Sequence, residues 1–227
     1  MVKTNDKGLV NIATQAQAAK GSATEGKAAW GSATEGRAAR GEAAQAGAAR
    51  GEAAQAGATD AQATQGSAAQ GRAVVTLGTE HFTEANEVVR AALAASDTVE
   101  IHEAFAQRYL GCGMDKGKSL MIHGVPGNDM ACYMNGGYIE VFGNAQDQVG
   151  NTMNDGRVVI HGRCGDAAGY GMRGGQVFIR DGCGWRVGIH MKQYQDKCPV
   201  IVIGGDAGSF LGEYMAGGII ILLGNSG

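Results

Sequence analysis

Nowhere does this chain of 227 residues hold an apolar run near the roughly 18 residues that cross a bilayer as a helix. Its opening MVKTND has no apolar core of the kind a secretory signal carries, so the expected location is the cytoplasm. Lysine and arginine number 19 against 22 acidic residues, a formal charge of −3. That balance gives no sign of the basic patch of a nucleic-acid surface, and none of a surface for acidic substrates. The five cysteines are odd in number and form no CxxC. No serine sits in a GxSxG elbow: Ser209 has Ala207 two positions before it, and Ser119 has Met121 two positions after it. The stretch ending in Gly117, Lys118 and Ser119 misses the phosphate-loop pattern, because position 112 is Cys112 and a strand-like segment follows.

Glycine, by contrast, is abundant at 39 residues, far above the usual level of about 7%. Much of it belongs to one recurring phrase, which reads MNGGYIEVFGN from Met134, MNDGRVVIHGR from Met153, MRGGQVFIRDG from Met172 and MAGGIIILLGN from Met215. Met134, Met153, Met172 and Met191 follow one another at 19-residue steps. A step of about 20 residues is too short for a helical hairpin and matches one coil of a strand-rich solenoid. The expected fold is therefore all-β: a single-stranded parallel β-helix of six coils, led by Met114, Met134, Met153, Met172, Met191 and Met215.

Alternation within a strand assigns inward positions by counting back from each closing glycine. This gives Leu120 and Ile122, Ile139 and Val141, Val158 and Ile160, Val177 and Ile179, Val200 and Val202, and Ile220 and Leu222. The same count places Phe142, Val159, Phe178, Ile201, Ile203, Ile221 and Leu223 outside, beside Glu140, His161 and Arg180. A lone solenoid should be polar there, and a contiguous apolar stripe marks a surface that another element or protein covers. These seven residues are the candidate partner surface.

Other chemical signals are weaker. Gly169, Gly171 and Gly174 satisfy GxGxxG but precede a strand, whereas a dinucleotide fold needs a helix there. Cys164 and Cys183 share a coil position and should be neighbours within disulfide reach, with reduced thiols favoured in a cytosolic protein. Asp147 and Asp166 also share a position, which turn chemistry explains. His123 and His161 should point outward with Phe142 between them, as partner contacts. No catalytic, cofactor-binding or metal-ligating residue is assigned.

Two regions flank the coils. Residues 1–72 contain a tract of Ala, Gly, Gln, Glu, Ser, Thr and Arg with glycine at 21, 26, 31, 36 and 41. Such a tract has almost nothing to bury and is expected to be a disordered tether. Residues 73–227 form the coil domain, entered by a strand at 73–77, a helix capped by Thr83 with an apolar face of Ala85, Val88, Val89, Ala92 and Leu93, and a strand at 97–101. The insertion 192–198 should project as a loop. The last coil would present an open strand edge, which reads as a fragment of a longer protein.

The recurring phrase, its GYGMRGG and EYMAGG copies, and the helix before RYLGCGM resemble the GXGXG domain. This is the C-terminal right-handed β-helix of the glutamate synthase large subunit, and the similarity is greatest to its stand-alone form in split, archaeal-type enzymes. It covers about residues 75–227; the Ala/Gly tract has no counterpart. One of the subunits of formylmethanofuran dehydrogenase is similar too, and some relatives carry an esterase label for which this sequence offers no catalytic residue. The resemblance implies a structural, non-catalytic scaffold in an oxidoreductase complex of glutamate biosynthesis. Its partners would be a glutaminase-type part and a part carrying FMN and an iron–sulfur cluster, with no cofactor in this chain.

Overall fold

The computed structural model describes residues 71–227, together with strand residues 3–4 and 9–11. The elements are β1 (Lys3–Thr4), β2 (Leu9–Asn11), β3 (Arg72–Thr76), α1 (Phe82–Ala95), β4 (Thr98–Phe105), β5 (Ser119–Val125), β6 (Asn135–Val141), β7 (Asp155–Ile160), β8 (Gln176–Ile179), β9 (Val200–Ile203) and β10 (Ile219–Leu222). Strands β3 to β10 lie side by side in chain order, each parallel to the next. The β-solenoid expected from the 19-residue step is thus the fold.

The lead-in is β-α-β, as expected, with β3 and β4 parallel and α1 joining them. Its helix is capped by His81 rather than Thr83: the His81 Nδ1 accepts from the Thr83 N–H at 3.4 Å. The buried face is also rotated from the expected one. Ala85, Asn86 and Val89 are inside, whereas Val88 is exposed. Asn86 explains the rotation, since its Nδ2 donates to the carbonyls of Phe82 and Arg108 at 2.7 Å each and so ties α1 to the first coil.

The core rows of the coils run in continuous register, the shift between β6 and β7 falling before them, between Asn135 and Tyr138. Ile122, Val141, Ile160, Ile179, Ile203 and Leu222 stack as one row, and Leu120, Ile139, Val158, Val177, Ile201 and Ile220 as a second. Both rows are fully enclosed, at most 4% exposed. Ile201 and Ile203 therefore belong to the core and not to the outer stripe, while Val200 and Val202 face outward, half-buried. This coil has two adjacent glycines, Gly204 and Gly205, either of which fits the closing position. Ile203 pairs in register with Ile179, so Gly205 is the closing glycine and Gly204 takes the outward place of Phe142 and His161. One residue of slip exchanges the faces of a strand.

The corner before each methionine is an unusual ribbon. Every second residue there has a positive φ, as in Gln148, Gly150 and Thr152, or Arg186, Gly188 and His190. Their N–H groups bond alternately forward and back along the stack: Gln148 to the Asp166 carbonyl, Gly150 to that of Met130, and Thr152 to that of Tyr170. The ribbon thus pairs its backbone on both sides, as a buried backbone requires. Met114, Met134, Met153, Met172 and Met191 point into the core, and all but Met172 set the thioether tip against a glycine of the next coil. A Cβ on Gly156, for instance, would stand 2.7 Å from the Met134 Cε and 2.7 Å from the Gly136 carbonyl carbon.

Residues 192–198 form the projecting loop expected, closed by a Tyr194–Lys197 bridge. At the far end β2 pairs in parallel with β10, matching Leu9 with Ile220, and β1 pairs with β2. The edge that reads as open from the repeat alone is occupied by these strands. Of the expected tether, residues 1–72, all but 3–4, 9–11 and 71–72 lie outside the described residues.

Two glycines test the coil geometry. Gly156, at φ 101°, has backbone on its Cβ side, whereas Gly171, at φ 57°, has 3.7 Å to its nearest neighbour, and its counterparts Thr152 and His190 carry side chains. Gly156→Ala should cost about 3 kcal/mol or more, and Gly171→Ala about 1 kcal/mol. Chemical denaturation of the two variants measures the contrast.

Candidate interaction face

The outward side of the sheet carries three rows, set by the same register that stacks the core. Along the middle row run Glu100, Met121, Glu140, Val159, Phe178, Val202 and Ile221. The row thus changes character along the stack, ionic at β4–β6 and apolar at β7–β10. Of the predicted partner residues, Val159, Phe178 and Ile221 lie in this apolar half, each half-buried. Phe142 and Leu223 belong to the next row and are 42% and 48% exposed. The structure adds Val200, Val202 and Ile219 in place of Ile201 and Ile203. The Arg157 guanidinium of β7 lies 5.7 Å from the Phe178 ring centroid, a cation–π contact within the apolar half.

The ionic half is built around a column of rings. His102, His123, Phe142 and His161 stack in succession, with centroids 4.8, 4.6 and 5.4 Å apart and planes within 14° of parallel. Phe142 separates His123 from His161, as the sequence implies; the place of His102 in the column is not legible from the phrase, because it precedes the first copy. Each carboxylate holds an imidazole. Glu140 Oε1 lies 2.7 Å from the His161 Nε2, and Glu100 Oε1 lies 2.9 Å from the His123 Nε2. The Tyr138 hydroxyl donates to Glu140 Oε2 at 2.8 Å.

These contacts move the titrations. The hydrogen bond from His161, helped by the one from Tyr138, holds the Glu140 carboxyl below its usual range in spite of partial burial. Burial pushes Glu100 up, but Arg72 and the hydrogen bond from His123 outweigh it, and its carboxyl too is lowered. Burial and the bond to Glu140 push the Tyr138 phenol up to about 12.

A second exposed cluster sits at the methionine corner and was missed in the sequence. Trp185, Phe210 and Tyr214 are at least half exposed. Trp185 and Phe210 have centroids 6.4 Å apart, His190 stacks on Tyr214 at 5.1 Å, and the Arg186 guanidinium covers Phe210 at 5.0 Å. The sequence carries a signal: the residue just before each coil methionine is Gly113, Tyr133, Thr152, Gly171, His190 or Tyr214, a position that the left-handed ribbon turns outward. Exposed aromatics with arginine are the composition of interface anchors.

Several residues that resemble catalytic groups are engaged in the coil itself. The Oδ1 atoms of Asn128, Asp147 and Asp166 accept from the N–H groups of Asp147, Asp166 and Trp185, at 3.2, 2.9 and 2.8 Å. Each of these side chains bonds the residue 19 places on, a ladder that serves the turns as expected. Cys164 and Cys183 are paired by a parallel bridge, as expected, and both are free thiols. Burial raises both, Cys183 to about 12, so neither is poised as a thiolate nucleophile. A cleft of about 470 Å³ beneath the 192–198 loop is lined by Tyr138, Asp155, Arg157, Gln176 and Lys197 together with three glycines. Among the described residues, no helix is long and apolar enough to cross a membrane.

The family described as GXGXG motif matches residues 81–227. An uncharacterised protein of Methanocaldococcus jannaschii is 54% identical over 147 residues, which are 63% of this chain and 56% of that protein. The chain thus spans a little over half the length of that relative. No solved structure matches.

The Glu140 contacts carry a pH signature. A carboxyl lowered in the fold contributes stability above its ordinary value of 4.5, and that contribution is lost as pH falls through the depressed folded value. Melting temperature should therefore drop for the native chain between about pH 5 and pH 3, and the native advantage over Glu140→Gln should shrink across the same window.

Proposed function

Because the chain belongs to the GXGXG motif family, we propose that it is a structural, non-catalytic scaffold of a glutamate synthase-type oxidoreductase complex acting in the cytoplasm. Its partners would be a glutaminase-type part and a part that carries FMN and an iron–sulfur cluster, with this chain holding the two in relative position.

One observation carries the reading. The polar groups that recur with the coil are engaged in coil-to-coil bonds, whereas the groups left outside form an apolar row and aromatic clusters suited to contact. A fold whose repeated chemistry is internal and whose exposed chemistry is adhesive is suited to binding other proteins. Regular solenoids present such surfaces rigidly, as a spacer between two reaction centres requires.

The test is isolation of the native complex with identification of its chains and cofactors. A flavin- and iron–sulfur-containing partner with a glutaminase-type chain is expected in amounts comparable to this chain. Recovery alone overturns the scaffold role, and a molybdenum or tungsten pterin partner moves the scaffold to a formylmethanofuran dehydrogenase-type complex. Phe142→Glu combined with Leu223→Glu should lower partner recovery by at least about tenfold, with the circular dichroism of the coil unchanged.

A further inference from the structure

At the junction of lead-in and coils, the ionic row contains an arrangement that the scaffold reading does not use. Glu100 and His102 alternate on β4 and so project on the same side of the sheet, and His123 projects beside them from β5. One ligand atom from each of the three residues lies within 4.8 Å of the other two. Two of the separations, 2.9 and 3.3 Å from Oε1 to the imidazoles, are near the roughly 3.4 Å edge of a tetrahedron with bonds of about 2.1 Å.

The surroundings favour this set as a unit. Arg72 takes the other carboxylate oxygen, Glu100 Oε2, and so orients Oε1 toward the imidazoles in the manner of an outer-shell partner. Phe142 stacks on His123 from the far side and limits the swing of that ring. The imidazoles are 40% and 42% exposed while the Glu100 side chain is 17% exposed, which leaves an open side toward solvent. The neighbouring carboxylate makes the contrast: Glu140 holds only His161, because the adjacent ring in the column is Phe142 and the second oxygen bonds Tyr138.

We infer that Glu100, His102 and His123 form a binding site for one divalent transition-metal ion of borderline softness, such as Zn²⁺ or Co²⁺, with its remaining coordination positions open to water. Two imidazoles and one carboxylate select that class over Mg²⁺ and Ca²⁺, which take oxygen ligands. The ion would join β4 to β5 where the lead-in enters the coils, and it needs no partner chain to bind.

Titration of the full chain with Co²⁺, followed by visible absorption and calorimetry, tests this. One ion per chain is expected, with a visible ligand-field band and no near-ultraviolet thiolate band from Cys112 or Cys198. His123→Ala and Glu100→Gln should each weaken binding by at least about tenfold, and His161→Ala should leave it unchanged. His123→Asn, with circular dichroism on every variant, separates loss of a ligand from loss of fold, and Zn²⁺ should raise the melting temperature of the native chain but not that of His123→Asn. Absence of binding, a thiolate band, or equal affinity in all the variants overturns the inference.

Discussion

Everything in this protein depends on each coil repeating the backbone bonding of the one before it. The parallel ladder from β3 to β10 is one half of that constraint. The other is the left-handed ribbon, whose N–H groups reach both neighbours in turn. A coil that gained or lost one residue within the ribbon or between its two core rows would leave buried donors without partners, at about 1–3 kcal/mol for each. The five additional residues between Met191 and Met215 are accordingly expelled into the loop at 192–198, and the core rows pass from Ile179 to Ile203 without a break.

The same constraint sorts side chains by role. Positions that face a neighbouring coil at the corners hold Asx residues that bond the next coil, or glycines where backbone or a methionine tip stands too close for a Cβ. Positions that face the bore hold aliphatics. Only the outward rows and the left-handed corner are free of these demands, so they hold what the scaffold offers to other molecules: the imidazole column, the apolar row of β7–β10, and the aromatic corner around Trp185 and Phe210. The family match over 81–227 coincides with the coils and α1, the region under that constraint.

Much of this was legible in the phrase. Its 19-residue step specified parallel stacking, the neighbours Val158 and Val177, and the pairing of Cys164 with Cys183, because a repeat in register places equivalent residues one coil apart. What is not legible there lies at positions where a local feature is ambiguous. Gly204 and Gly205 both fit the closing position, and only the pairing of Ile203 with Ile179 fixes Gly205 there and turns Ile201 and Ile203 inward. Thr83 is the better cap by propensity, but the bonds of Asn86 to Phe82 and Arg108 begin the helix two residues earlier, with His81 as its cap.

The sequence by itself determined the architecture, since periodicity and glycine placement are properties of one chain repeated against itself. The tertiary structure decided which side chains meet across coils that lack the phrase. Glu100 and His102 lie in the lead-in, outside any repeat, and only the pairing of β4 with β5 brings them to His123. The aromatic corner depended likewise on positive φ angles at Arg186, His190, Phe210 and Tyr214. Such a backbone is set by the hydrogen bonds of adjacent coils, and the local propensities of Arg186, Phe210 and Tyr214 do not favour it.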